Sequence, residues 1–275
     1  MGLLRLRDRG VEIKTREQIA LMRRAGRIVG ETLQLCRDSV RPGMTTDDLD
    51  RLAETYIRDH GAVPSFKGYH GFPKTLCVSV NDEIVHGIPG PRRLETGDVV
   101  SIDCGAIIEG WHGDAAITVA LGDVSDEVRQ LLAVCEDALW RGIAAARIGG
   151  YVTDISHAVE TYVRGVGDFG IVEDYVGHGI GSSMHMAPNV PNVGEPGNGP
   201  RLQRGIALAV EPMITLGGIE TDLLDDDWTV VSRDGSLAAH FEHTFTLTRD
   251  GLWVLTALDG GSGRLSDLGV SYGGD

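Results

Sequence analysis

Two stretches of this chain match each other at a single offset. RPGMTTDDLDRLAETYIRDHG, beginning at Arg41, aligns with RIGGYVTDISHAVETYVRGVG, beginning at Arg147, 106 residues later (147 − 41). Arg41/Arg147, Gly43/Gly149, Asp48/Asp154, Glu54/Glu160, Thr55/Thr161, Tyr56/Tyr162, Arg58/Arg164 and Gly61/Gly167 coincide. Each stretch reads as a turn followed by an amphipathic helix closed by glycine. Each also follows a longer helix. Thr15 and Gln18 make a capping box for the first, and Ser125 starts the second. Further on, LETGDVVSID and LQRGIALAVE share the frame L-x-x-G-x5-acid, so that an apolar strand ends on Asp103 in one half and on Glu211 in the other. Helix, helix and strand recurring in one order indicate a duplication. Two such halves, meeting face to face, give an α+β fold in which helices cover a curved, mostly antiparallel sheet. The acidic strand ends then converge at a pseudo-twofold centre.

Five residues stand in settings that suit metal ligands: Asp103, Asp114, His178, Glu211 and Glu242. VVSIDCGAIIEGWHGDAAITVAL reads as two alternating apolar strands around a turn near Ile108, Glu109 and Gly110. A hairpin centred between Ile108 and Glu109 sets Asp103 directly opposite Asp114, with Cβ atoms roughly 4.5–5.5 Å apart. Facing carboxylates destabilise a strand pair unless a cation lies between them. Asp103 and Glu211 follow the apolar runs VVSI and IALAV, where an unpaired carboxylate is costly to bury, and Glu242 falls within the strand pattern AAHFEHTFTLT. Carboxylates with one imidazole suit divalent metals, and two metals roughly 3.5–4 Å apart carry out hydrolysis. Four carboxylates balance two divalent ions.

The remaining chemistry is thinner. His60, at a helix end, and His157, on a helix, read as structural. His112, His240 and His243 adjoin proposed ligands and suit supporting roles. His178 lies between glycines in GHGIGSSMHMAP, which leaves its imidazole unobstructed; His185 and His86 occupy similar Gly- and Pro-flanked loops. No G-x-S-x-G elbow and no G-x-G-x-x-G phosphate loop occurs, and Cys77 and Cys104 sit in strand-like runs typical of structural thiols.

A net charge of −15 argues against nucleic-acid or anionic-membrane binding. Residues 1–30 are an exception, with Arg5, Arg7, Arg9, Lys14, Arg16, Arg23, Arg24 and Arg27 against Asp8, Glu12 and Glu17. They read as a solvated helix face or as a docking patch for a polyanion such as the ribosome. No apolar run reaches a membrane span, MGLLRLRDRG lacks a signal-peptide core, and four scattered cysteines fit a reducing cytoplasm. The expected organisation is an N-terminal extension (1–10), one catalytic domain (11–258, with halves at about 15–120 and 125–250) and a flexible Gly/Ser-rich tail (259–275). A monomer is expected.

Over residues 11–258 the chain resembles the type I methionine aminopeptidases. The motifs that carry the resemblance are YHGFPKTLCVSVNDEIVHGIPG, SIDCGAIIEGWHGDAA, GHGIGSSMHMAP, AVEPM and DDWTVVSRDGSLAAHFEHT. The resemblance implies the duplicated pita-bread fold and cytoplasmic removal of the initiator methionine from nascent polypeptides whose second residue is small. It implies two divalent ions (Co, Mn, Fe or Zn) on Asp103, Asp114, His178, Glu211 and Glu242, activating a hydroxide. Glu211 is then the proton shuttle, His185 the donor to the developing oxyanion, and His86 a contact to the peptide nitrogen or next residue. The methionine pocket draws on Tyr69, Phe72, Cys77 and Trp228, while Phe66 and Met184 occupy pocket-side positions that vary within the family. Three other readings stand beside this one. A same-fold X-Pro aminopeptidase or prolidase normally carries an extra N-terminal domain, for which about ten residues are available. A non-catalytic peptide-binding relative would have lost ligands that are all present. A different metallohydrolase on the same ligands is argued against by the Tyr69–Cys77 segment.

Overall fold

The computed structural model describes residues 10–274; the extension through residue 9, with Arg5, Arg7, Asp8 and Arg9, lies outside the described residues. Among the described residues five α-helices, α1 (Arg16–Ser39), α2 (Thr46–Asp59), α3 (Asp126–Ala145), α4 (Val152–Val166) and α5 (Ser262–Asp267), accompany one large antiparallel sheet and two small three-stranded ones. α1 starts where its capping box predicts: Gln18 N–H donates to Thr15 Oγ1 at 3.3 Å, and Thr15 N–H to Gln18 Oε1 at 2.8 Å. Ser125 caps α3 through Val128 N–H. Along α1, Ile19, Met22, Ala25, Val29, Leu33 and Cys36 recur every three to four residues and form its buried stripe.

The duplication is written into contacts as well as sequence. Tyr56 donates to Glu31 at 3.2 Å and Tyr162 to Asp137 at 3.1 Å, and the acceptors are themselves 106 residues apart. Asp48 accepts from Thr45 N–H as Asp154 does from Tyr151 N–H. Leu94 N–H bonds Met44 O as Leu202 N–H bonds Gly150 O. α1 and α2 pack Leu33, Leu49 and Ile57 against Ile102 and Cys104, while α3 and α4 pack Leu139, Ile155 and Val159 against Leu208 and Phe245. The two halves join where strand Trp111–Ala120 pairs with strand Glu242–Leu247, flanked by Val99–Ile108 on one side and Ala207–Val210 on the other. This is the α+β, pseudo-twofold architecture expected from the repeat.

Three expectations need correction. The hairpin turns on Glu109 and Gly110, not one residue earlier: Ile108 pairs with Trp111, so Asp103 faces Ala116 and Asp114 faces Gly105. Both turn residues take positive φ (50° and 83°), the two-residue turn that matches strand twist, and Gly110 makes half of it cheap. The aspartates are therefore diagonal neighbours on one face, near enough to hydrogen-bond through their side chains. Asp103 also does not end its strand, which runs on to Ile108. Thirdly, residues 259–275 were expected to form a flexible tail, yet 259–274 pack onto the second half. Leu265 of α5 is fully buried, Arg264 pairs with Asp137 and lies over the Trp140 ring, and Leu252 N–H bonds Ser271 O at 3.0 Å.

The basic N-terminus is largely structural where it is described. Lys14 is buried against Glu12, its ammonium lowered to about 8 by burial despite that partner. Arg23 donates to Leu255 O and Ala257 O, Arg24 pairs with Glu109, and Arg27 with Glu31.

α1 lies unusually close to the sheet because glycines meet there. A Cβ on Gly113 would come within 2.7 Å of Gly26 N, and one on Gly26 within 2.3 Å of Leu255 O. Backbone cannot yield as a side-chain tip does. Gly113→Ala is therefore expected to lower stability by about 1–3 kcal/mol, the usual cost of overpacking, read as a fall in the denaturant midpoint at unchanged slope.

Candidate active site

Strand alternation and register bring the acidic residues to one place. Asp103 and Asp114 come from the first-half hairpin, Glu211 directly follows strand Ala207–Val210, and Glu242 opens strand Glu242–Leu247. His178 lies on Gly177–Gly179, beside Ala209. Its flanking glycines serve close strand packing: a Cβ on Gly177 would fall 2.4 Å from Ala209 O, and one on Gly179 2.2 Å from Ala187 O. Thr244 ties the central strands together, its hydroxyl donating to Asp114 O at 2.8 Å and accepting from Asp114 N–H at 3.1 Å.

Ligand-type atoms of Asp114, His178 and Glu242 lie within 4.8 Å of one another, as do those of Glu211, His240 and Glu242. His178 Nε2 is 3.5 Å from Glu211 Oε1 and His240 Nε2 is 3.7 Å from Glu211 Oε2. Because His178 Nδ1 must donate to Gly179 O, at 3.0 Å, its Nε2 carries the free lone pair toward the carboxylates. Burial drives every group toward its neutral form. Asp103 rises to about 7, burial and then the neighbouring acids push Asp114, Glu211 and Glu242 well above the carboxylate range, and His178 and His240 fall to about 3.

Asp103 Oδ1, Asp114 Oδ1, Glu242 Oε1 and His240 Nε2 are buried with no hydrogen-bond partner. Four polar atoms left unpaired around one point form a place for a cation, and oxygen and imidazole donors of this kind suit divalent metals. The residues present fit such ions. His240 is the ligand-type residue that the sequence reading placed only in a supporting role. The signal was there, since His240 and Glu242 are two apart and such spacing shares a strand face.

The remaining expected site residues line the same cavity, His86 and His185 with Phe66, Tyr69, Phe72, Cys77, Met184 and Trp228, joined by Val85; His112 and His243, expected in supporting roles, do not line it. Phe66, Phe72, Cys77 and Met184 form a buried apolar cluster with Tyr69 and Trp228 packed on it. The Trp228 ring meets Phe72 edge-on at 5.0 Å, and Asp226 holds the Trp228 backbone. Cys77 pairs with Asp103, so the apolar cluster directly adjoins the acids. Burial, with Asp103 next, pushes the Cys77 thiol well up, which leaves it neutral. The His185 ring packs against that of His178 at 4.3 Å and its Nδ1 lies 3.0 Å from Tyr69 Oη. His86 takes a left-handed backbone (φ 62°) and falls to about 4 through burial, with His185 adding to it.

Residues 20–249 match the model of metallopeptidase family M24. The methionine aminopeptidase of Clostridium acetobutylicum is 50% identical over 245 residues, 89% of this chain and 98% of the relative. The crystal structure of methionine aminopeptidase from Thermotoga maritima superposes with a TM-score of 0.88 at 39% identity, covering 90% of this chain and 99% of that one. X-Pro aminopeptidase from Thermotoga maritima, at 23% identity and a TM-score of 0.70, shares the fold; this chain spans 62% of its length.

The raised carboxyls make a stability prediction for metal-free protein. A carboxyl that titrates higher in the fold than in the unfolded chain stabilises fully below the ordinary range of roughly 4. That contribution is lost as pH rises through the folded value, about 7 for Asp103. The buried imidazoles, His178 and His240 at about 3, act the other way below roughly 6.5, so the carboxyls are read above it: chelated protein is expected to melt lower at pH 7.5 than at pH 6.5, and added divalent metal to restore more at pH 7.5. Equal melting of chelated and reloaded protein at pH 7.5 would contradict a cation site here.

Proposed function

This chain belongs to metallopeptidase family M24, among its methionine aminopeptidases and with their pita-bread fold, and from that premise we propose that it removes N-terminal methionine from nascent polypeptides with a small second residue. The observation that carries the reading is one cavity whose acidic end, with its unpaired buried oxygens, directly adjoins an apolar aromatic cluster. Two divalent ions of the Mn, Fe, Co or Zn type would be held by Asp103, Asp114, His178, Glu211 and Glu242, with His240 beside them. Bound there, they would supply Lewis acidity and a water pKa lowered toward ~7.

The chain's own groups then divide the work. Phe66, Phe72, Met184 and Trp228 take an unbranched thioether side chain, which gains from sulfur–aromatic contact, with Cys77 as a neutral wall. Because Cys77 is the register partner of Asp103, one residue fills the space between pocket floor and acids, which suits cleavage after the first residue alone. Glu211 takes the proton of the attacking water and returns it to the leaving amine. His185 donates to the carbonyl oxygen as it becomes an oxyanion. Burial raises the Tyr69 phenol, so it keeps its proton and donates to His185 Nδ1, leaving Nε2–H to act. His86 contacts the peptide nitrogen or second residue. The setting proposed is the cytoplasm; among the described residues no helix is long and apolar enough to cross a membrane.

Substrate choice tests the reading. Met-Ala-Ser is expected to be cleaved with much higher kcat/KM than Leu-Ala-Ser, and Met-Ala faster than Met-Trp; efficient cleavage of Met-Pro but not Met-Ala-Ser would favour an X-Pro enzyme instead. The histidines separate by role. His178→Ala is expected to lose metal content and activity together. His185→Ala keeps its metal while kcat falls by roughly 10²–10³-fold, the worth of one oxyanion donor. Tyr69→Phe, which frees the tautomer, should lower kcat less than His185→Ala; loss of metal from His185→Ala with full retention by His178→Ala would reverse the two roles.

A further inference from the structure

The alternation that turns Glu242 into the active-site cavity turns His243 to the opposite face of the sheet. There, between α1 and α3, lies a separate cavity of about 200 Å³. It straddles the pseudo-twofold seam: Leu33 and Leu139, and likewise Gln34 and Trp140, are equivalent positions of the two halves at the 106-residue offset, and both pairs line it. The helices that cover each half leave the seam between them open. The space exceeds the roughly 150 Å³ that admits a benzene ring in an apolar cavity.

Its polar groups are arranged to donate. His243 Nδ1 lies 2.8 Å from Thr256 Oγ1, and that hydroxyl accepts from Thr244 N–H at 3.1 Å. The other acceptor within reach of the hydroxyl proton, Thr244 O, is 3.5 Å away, so the proton goes to Nδ1 and Nε2 carries the imidazole hydrogen. The Trp140 ring meets the imidazole edge-on at 5.0 Å and fixes its plane. Arg37, exposed on α1 and lining the same cavity, is one of the two charges that act on the ring; Asp259 is the other, its carboxylate held by Gly261 and Gly263 N–H. Arg37 and Glu136 form no ion pair among the described residues.

We propose that this cavity binds a small monocarboxylate with an apolar body of about one ring. The carboxylate accepts from His243 Nε2–H and meets the Arg37 guanidinium, and the body packs on Leu33, Leu139 and Phe241. Glu136 at the rim disfavours a second negative charge.

Calorimetric titration of the metal-loaded full chain with 3-phenylpropionate and, separately, with phenethylamine tests this. The acid is expected to bind and the amine not to. Arg37→Glu should raise the dissociation constant about tenfold, the loss of one charge-assisted contact. Leu258→Trp, at an exposed position on the cavity wall, should abolish binding by filling the space. Both variants should keep basal aminopeptidase activity. No binding of the acid, equal binding of the amine, or acid binding unaffected by both substitutions, which would place it on the active-site metals, would overturn the proposal.

Discussion

Four carboxylates from two halves of the chain meet at the seam of one sheet, and the rest of the molecule is organised around that meeting. Two unit charges 4.8 Å apart, the limit within which Asp114 and Glu242 lie, repel by on the order of 3 kcal/mol at an effective dielectric near 20. Domains are stable by only about 5–15 kcal/mol in total, so several such pairs cannot stand uncompensated. Either protons or cations must fill the centre. The upward shift of all four carboxyls is the protein's answer without metal; divalent ions are the answer that function requires. Thr244 and the glycines around His178 and Gly113 are the groups that hold backbone close enough for the meeting to occur.

Much of this was legible because the signals were chemical and repeated. The offset of 106 residues exposed the two helix pairs, and the acids at equivalent places exposed the centre. What local pattern could not give was register. A one-residue choice of turn moves every partner, and Glu109 adopts a positive φ that its residue type does not advertise, so Asp103 and Asp114 are diagonal rather than opposite. His240 was given only a supporting role, although its two-residue spacing from Glu242 within AAHFEHTFTLT puts both on one strand face.

Composition misled in the C-terminal segment. Gly260, Gly261, Ser262 and Gly263 read as a linker, yet Gly260 and Gly261 supply the left-handed turn that starts α5, and Leu265 and Arg264 anchor it on Trp140 and Asp137. A few anchoring side chains outweigh a flexible composition. Basic charge at the N-terminus divides: Lys14 and Arg23 bind Glu12 and backbone carbonyls, while Arg24 and Arg27 lie exposed on α1, as a solvated helix face would have them.

The symmetric frame explains the centre, and its broken symmetry shapes the cavity around it. In the first half, the stretch between α2 and strand Val99–Ile108 builds the pocket side, with Phe66, Tyr69, Phe72, Cys77 and His86. The equivalent stretch of the second half, between α4 and strand Ala207–Val210, instead carries His178, Met184 and His185. Each half alone offers two carboxylates and part of the cavity wall. Tyr69 joins the two, reaching from the pocket side to His185 across the axis. A duplicated frame thus fixes where charge must gather. The divergence of the two loops gives those acids an apolar aromatic cluster drawn mostly from the first and the packed His178 and His185 rings from the second.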